Sequence, residues 1–239
     1  MSIDLLLDFE SQALFAIFTY LKENPGFHDI NEISEQIGFE KRTTLKYLER
    51  LAMLSNEVKE RIGIAPLTIS ERNYRIIQQN YVENKELSLA IYHISIKIDL
   101  LEGLLLNKEN TMDSLTDKYN LSYSTLKKDV YEVRDFLKEA NIDLHIRNGE
   151  IVLSGLEPTI RLFFLSFFWQ LYGGYGHPFN IENSTEKNFI FEKLSFLLSD
   201  QIDPITKIQY DYLVDITLIR YLSNHPIENN ELPVESILI

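Results

Sequence analysis

The sequence contains no cysteine. A disulfide framework, a cysteine zinc site and a thiol nucleophile are thereby excluded. Positive charge is also scarce: 23 Lys and Arg stand against 36 Asp and Glu, a formal net charge of −13. Neither part of the chain is basic. Residues 1–160 hold 18 cations and 26 acids, and residues 161–239 hold 5 and 10. Any nucleic-acid face must be local. No long hydrophobic run is present. The strongest, "IRLFFLSFFWQLY" (160–172), is too short to span a bilayer and carries Arg161 and Gln170. It reads as a buried core helix. The N-terminal "MSIDLLLDFESQ" lacks a basic flank, and Asp4 and Asp8 interrupt it, so it is no signal peptide. A soluble, cytoplasmic protein with no membrane partner is the expectation.

Catalytic patterns are missing as well. His28, His93, His145, His177 and His225 are scattered without metal-ligand spacing. "GGYGHPF" lacks the Lys-Ser/Thr of a phosphate-binding loop, and no serine sits in a nucleophile elbow. The reading is of a protein that is not an enzyme and needs no metal or cofactor.

What is there is helical periodicity. The 239 residues are 45% apolar and 12% aromatic, enough for well-filled cores. Phe9, Ala13, Ile17 and Leu21, with Leu14 and Phe18, give a helix over 9–22. "ENPGFHD" breaks it. Asp29 and Glu32 then form a D-x-x-E capping box for a short helix ending at Ile37. Gly38 follows, where a left-handed residue ends a helix. A second helix covers about 41–54, with Thr44, Leu48, Leu51 and Met53 or Leu54 inward.

Shifted by 82 residues, "ISEQIGFEKRTTLKYLERL" (33–51) lies over "LTDKYNLSYSTLKKDVYEV" (115–133) without a gap. Ile33 meets Leu115, Gly38 meets Asn120, Thr43 meets Thr125, Lys46 meets Lys128, and Leu48 meets Val130. Glycine and asparagine are the residues that best accept positive φ. The chain therefore repeats one unit. A long apolar helix over 87–106 precedes the second copy, and residues 79–87 read as a polar linker or helix-joining segment. Asn148-Gly149 marks a tight hairpin after the second copy. "SERN" (70–73) marks a longer, weaker one after the first, with Pro66 at an edge.

Helix, short helix, tight turn, helix, hairpin is the order of a winged helix-turn-helix. The expected fold is mainly α. Two tandem winged helix-turn-helix domains (1–80 and 81–157) precede an all-α bundle (158–239) of three helices. The apolar end "VESILI" suggests a piece of a longer protein.

In such a domain the second helix enters the major groove of DNA. Lys41, Arg42, Thr43, Lys46, Tyr47 and Arg50 are assigned to its free side in the first copy. Arg42 is the candidate guanine contact, because its fork can bond O6 and N7 together. Lys46 and Arg50 are candidates for phosphate. In the second copy Tyr123, Ser124, Thr125, Lys127, Lys128 and Tyr131 occupy the matching surface, with Ser122 as cap. His145 and Arg147 in the hairpin are candidates for a neighbouring phosphate or the minor groove. Lysine and arginine on a helix are more often just a solvated face. The pairing of tight turn with cations in both copies is what favours DNA. A protein-interaction module remains the alternative.

The run from "S-x-S-T-L" through the hairpin into "SG-x-E-x-x-IR-x-FF" is specific. It comprises Ser122, Ser124, Thr125 and Leu126, then Ser154, Gly155, Glu157, Ile160, Arg161, Phe163 and Phe164. It resembles the N-terminal half of Mga-type virulence regulators of Gram-positive bacteria, a family that includes the anthrax toxin activator. The resemblance implies two DNA-binding domains followed by helical domains similar to PTS-regulation domains. It also implies double-stranded promoter DNA as partner, a homodimer or higher oligomer, and PTS phosphotransfer proteins as further partners. Regulation domains of this kind can be phosphorylated on histidine. His225, read as lying in a helical segment, is the weak candidate, and His177 a weaker one. The regulation-domain family also includes RNA antiterminators, which leaves that alternative open.

Overall fold

The computed structural model describes residues 2–77, 81–106, 110–176, 178–179, 187–190 and 203–228. The described residues are mainly helical, with two small antiparallel sheets. They divide into two compact units. One is Leu7–Ile98, and the other is Asp99 onward together with Met1–Leu6.

In the first unit α1 (Phe9–Glu23) starts at Asp8, whose side chain accepts from the Ser11 amide. Ala13, Leu14, Ile17, Phe18 and Leu21 face the core as the spacing requires, but Phe9 is 63% exposed. Then come β1 (His28–Asp29), α2 (Ile30–Ile37) and α3 (Lys41–Ile62). Asp29 caps α2 by accepting from the Asn31 and Glu32 amides. The reciprocal half of the expected capping box does not form. The Glu32 carboxylate pairs instead with His28 Nδ1 at 2.8 Å and takes the Tyr20 hydroxyl at 3.2 Å. Helix α3 runs eight residues past its expected end, to Gly63 in the left-handed region. Leu54, Ser55 and Val58 continue its buried stripe, whereas Met53 points out.

The wing is β2 (Leu67–Ser70) and β3 (Asn73–Ile76), and β1 joins it in the order β1-β3-β2. Its connection is tighter than "SERN" suggested. Only Glu71 and Arg72 turn the chain, at φ 49° and 68°. Two non-glycine residues with positive φ give no sequence signal for such a turn. The Ser55 hydroxyl on α3 accepts from the Leu67 amide at 2.9 Å inside the core. Helix α4 (Tyr81–Tyr92) packs on α1 and α3 through Leu87 and Ile91. The single helix expected over 87–106 is in fact two, α4 and α5 (Ile96–Leu105), separated at 93–95. Of the polar segment 79–87, residues 81–87 are the first two turns of α4 and not a linker. Residues 81–98 thus pack with the first unit.

The second unit repeats the pattern with α6 (Met112–Tyr119), α7 (Tyr123–Lys138), β4 (Asp143–Arg147) and β5 (Glu150–Ser154). The 82-residue offset holds to the residue. Helix α2 maps onto α6, and the start of α3 onto the start of α7. Each capping residue of the short helix also pairs with the first residue of the second wing strand: Asp29 with Asn73, and Thr111 with Glu150. Asn148 and Gly149 turn the second hairpin at φ 52° and 83°, as Asn-Gly requires. A short 3-10 helix, Ile3–Leu6, packs against α7 and α8 (Glu157–Tyr172) of this unit. The Ile3 amide donates to Gln170 Oε1 at 3.2 Å.

Helix α8 is the apolar run. Phe164, Phe167, Phe168 and Leu171 are fully enclosed. It packs on α9 (Pro204–Leu222), which Asp203 caps. Of the middle helix expected between them only 187–190 is described, and it is helical. The rest of that segment, His177 and "VESILI" lie outside the described residues. A buried ionic knot joins the two helices. Glu157 Oε1 accepts from Arg161 Nε at 2.9 Å and Arg220 Nε at 3.0 Å, and Oε2 accepts from Arg220 Nη2 at 2.7 Å. Arg161 Nη2 also reaches the His225 carbonyl at 2.8 Å. Burial alone would raise the Glu157 carboxyl, but the bonds from Arg220 and Arg161 outweigh it and hold it below the ordinary 4.5.

A carboxyl depressed on folding contributes stability above its unfolded value and loses that contribution as pH falls through the folded one. Glu157→Gln also leaves two guanidiniums buried with a weaker partner. It is expected to cost the second unit about 3 kcal/mol at pH 7. In thermal unfolding followed by circular dichroism, the gap between variant and wild type should narrow as pH falls below 4.5.

Candidate nucleic-acid interface

The geometry of the interface begins at two backbone positions. Gly38 (φ 73°) ends α2 and Asn120 (φ 51°) ends α6, both left-handed. After each, the same bond is made: the Phe39 amide to the Ser34 carbonyl at 3.2 Å, and the Leu121 amide to the Thr116 carbonyl at 3.0 Å. These six-to-one bonds turn the chain sharply. Two residues later the next helix starts with its N-terminal half at the surface.

On α3 the structure puts Lys41, Arg42 and Lys46 in solvent and Thr43 at the margin. Two assignments need correction. Tyr47 is not on the free face. It is 5% exposed and contacts Phe9 and Phe39, at centroid distances of 6.3 and 6.4 Å. Position 47 falls between Thr44 and Leu51 at helical spacing, so periodicity alone puts it inside. Its ring also supports a cation, because Lys46 Nζ lies 4.9 Å from the centroid. Arg50 is half-buried and engaged, with Nε 3.3 Å from Glu10 Oε1 on α1. The surface left to this helix is therefore Lys41, Arg42, Thr43 and Lys46, with Leu45 exposed beside them.

On α7 the assigned residues lie together as expected. Tyr123, Ser124, Thr125, Lys128 and Tyr131 are exposed and Lys127 is partly so. Ser122 caps the helix by accepting from the Thr125 amide at 3.2 Å. Its hydroxyl also bonds Ser124 Oγ at 2.9 Å and Thr125 Oγ1 at 2.8 Å, which lines up three hydroxyls at the helix start. Lys128 reaches Glu132 at 3.8 Å in a solvent-exposed pair, worth little by itself.

Helix α6 is braced from behind. Lys118 Nζ and the Tyr119 hydroxyl both donate to Asp99 on α5, the lysine at 2.7 Å. Burial and that bond push the Tyr119 phenol up to about 12. Tyr172 at the end of α8 donates to Glu102, also on α5, at 2.5 Å.

In the second wing Arg147 is exposed next to the Asn148-Gly149 turn. His145 is exposed but occupied, with Nε2 2.8 Å from Ser154 Oγ and 3.7 Å from Asp143 Oδ2. The first wing carries two cations that the sequence reading passed over. Arg72 sits in the turn, and Arg75 points outward from β3 with its Cζ 4.6 Å from the Phe27 centroid. Alternation in "NYRI", with Tyr74 and Ile76 buried, was the available signal for Arg75. His225 is not in a helix. It follows the C-cap of α9, and its main chain rather than its ring is held, by the Arg220 carbonyl and the Arg161 guanidinium. Burial and the neighbouring Arg220 charge push its imidazole down.

Residues 80–168 match the family model described as the Mga helix-turn-helix domain. This stretch of the chain is similar to a Mga helix-turn-helix domain. The match takes in α4, α5, α6, α7, the second wing and most of α8, so it covers the second helix-turn-helix and its wing whole. No curated protein matches the chain. Among the described residues, no helix is long and apolar enough to cross a membrane.

Because Tyr47 is packed while Arg42 is free, the two should separate by experiment. Tyr47→Ala is expected to cost the first unit about 3 kcal/mol through the cavity it leaves. Arg42→Ala should stay within about 0.5 kcal/mol of wild type. Chemical denaturation of both variants checks this.

Proposed function

We propose that this chain is the DNA-binding part of a transcriptional regulator of the Mga type, acting in the cytoplasm on promoter DNA. Both recognition helices, α3 and α7, enter major grooves, and the wings contact the flanking backbone. The observation that carries the reading is the repeat. Two units, in register over 82 residues, each end a short helix on a left-handed residue and present an exposed, hydroxyl- or cation-bearing helix start. The match of the second unit to a helix-turn-helix family supports it.

Physical chemistry divides the work. Arg42, near the N-terminus of α3, reads a base edge, because its two-pronged donor fits guanine. Lys41 and Lys46 take phosphates. On α7, Ser124 and Thr125 meet base edges or phosphate, and Lys127 and Lys128 neutralise the backbone. Arg147 and, in the first wing, Arg72 follow the adjacent strand. With so few cations on an acidic protein, single-site affinity is moderate. Pairing of two units, and of two copies in a homodimer, raises it. The helices α8 and α9 are the place where regulatory input enters. If these helices are a PTS-regulation domain, as the resemblance to Mga-type regulators implies, phosphotransfer proteins are the partners to test, and His225 a residue to include.

Selection of bound sequences from random duplexes, followed by salt titrations, tests the reading. On the selected site Arg42→Ala should cost about 1–3 kcal/mol and relax one base position. Lys128→Ala should weaken all sequences alike and lower the salt slope by about one. A wild-type protein that enriches no sequence and shows no salt-dependent binding would sink the proposal.

A further inference from the structure

The exposed surface of α7 has two unlike edges. At the helical repeat Tyr123, Lys127, Tyr131 and Arg134 follow one another along one edge, in steps of three and four residues. None is acidic. Asp129 and Glu132 fall on the opposite edge. Tyr131 is 39% exposed, and two cations lie against its ring: Lys127 Nζ at 5.5 Å and Arg134 Cζ at 4.4 Å from the centroid. A guanidinium stacked on an aromatic face is fixed in orientation before any ligand arrives.

Arg134 is also incompletely bonded. Its side chain is 32% exposed, yet its Nε is buried and has no hydrogen-bond partner. The carboxylate facing it, Asp135, stands off at 3.6 Å and is hydrogen-bonded to Lys138 at 3.1 Å. A desolvated donor left open is a cost that an incoming acceptor removes. The first unit has no counterpart. The positions 82 residues earlier are Lys41, Leu45, Glu49 and Ala52. There the exposed cations Arg42 and Lys46 run along a different line of the helix, Lys46 over the buried Tyr47 ring.

We propose that Arg134, held against Tyr131, grips a backbone phosphate of bound DNA, with Lys127 beside it on the same strand. The proposal rests on the DNA-binding reading and adds to it a residue and an orientation. The ligand chemistry follows from the donor: a forked, always-charged guanidinium prefers a bidentate oxyanion. Arg134 is the twelfth residue of α7, beyond the N-terminal part that reaches base edges in this motif. A phosphate at the groove wall is therefore the acceptor, not a base. The Tyr123–Arg134 edge of α7 faces that wall and the acidic edge faces away. The two recognition helices thus approach DNA with different sides.

Fluorescence anisotropy of the full 239-residue chain on an AT-rich random duplex, at several salt concentrations, decides the matter. Arg134→Ala should bind about tenfold more weakly, with the salt slope lower by about one. Arg134→Lys should restore the slope but not the affinity, since the charge returns without the fork. Tyr131→Leu should lose part of the affinity at an unchanged slope, since the ring that orients Arg134 is gone. Wild-type binding by Arg134→Ala, alongside weakened Lys128→Ala, overturns the Arg134 role and leaves DNA binding standing. Absence of binding by wild type itself overturns both. Should Arg134→Ala fail to fold by circular dichroism, full wild-type affinity of Arg134→Lys overturns the proposal alone.

Discussion

Everything in each recognition unit depends on one backbone conformation. At Gly38 and Asn120 the chain takes a left-handed step, and the carbonyl five residues before the following amide closes the turn. An L-residue with a larger side chain would take that step only at a cost of about 1 kcal/mol. The step sets the crossing of the short helix and the recognition helix. That crossing decides which residues are buried, and so which can be offered outward. Leu48 and Val130, both fully buried, occupy the same place in the two copies because the same turn precedes them.

Much of this was legible from the sequence. The repeat, the turn residues, the Ser122 cap and the Asn148-Gly149 hairpin each rest on local chemistry that a short window contains. What was not legible depends on partners distant in sequence. Tyr47 is the exception: helical spacing puts it inside, and only its cationic neighbours make it look like a surface residue. Arg50 looks like a phosphate contact until Glu10, forty residues away, is brought beside it. Glu32 completes a capping box on paper, but His28 and Tyr20 hold its carboxylate instead. The break between α4 and α5 carries no proline or glycine. Residues 93–95 are His, Ile and Ser, none of which announces an end.

The two units differ where their chemistry faces outward. In the first, α3 is six residues longer than α7 and exposes few cations, with one ring, Tyr47, under Lys46. In the second, hydroxyls start the helix and one exposed ring, Tyr131, carries two cations. The acid excess of the chain is compatible with both, because phosphate contact needs charge only along the strand's path. Elsewhere the carboxylates are put to structural use: Asp99 and Glu102 hold Tyr119 and Tyr172, and Glu157 holds two arginines.

The placement of Ile3–Leu6 has a consequence for the order of assembly. These residues belong to the unit built from Asp99 onward, since they rest on α7 and α8. During synthesis the Leu7–Ile98 core can close while Ile3–Leu6, made before it, still find no seat. Ile3 and Leu6, both nearly fully enclosed in the finished fold, stay wet until α8 has been made. A segment made early is therefore among the later parts of this fold to settle.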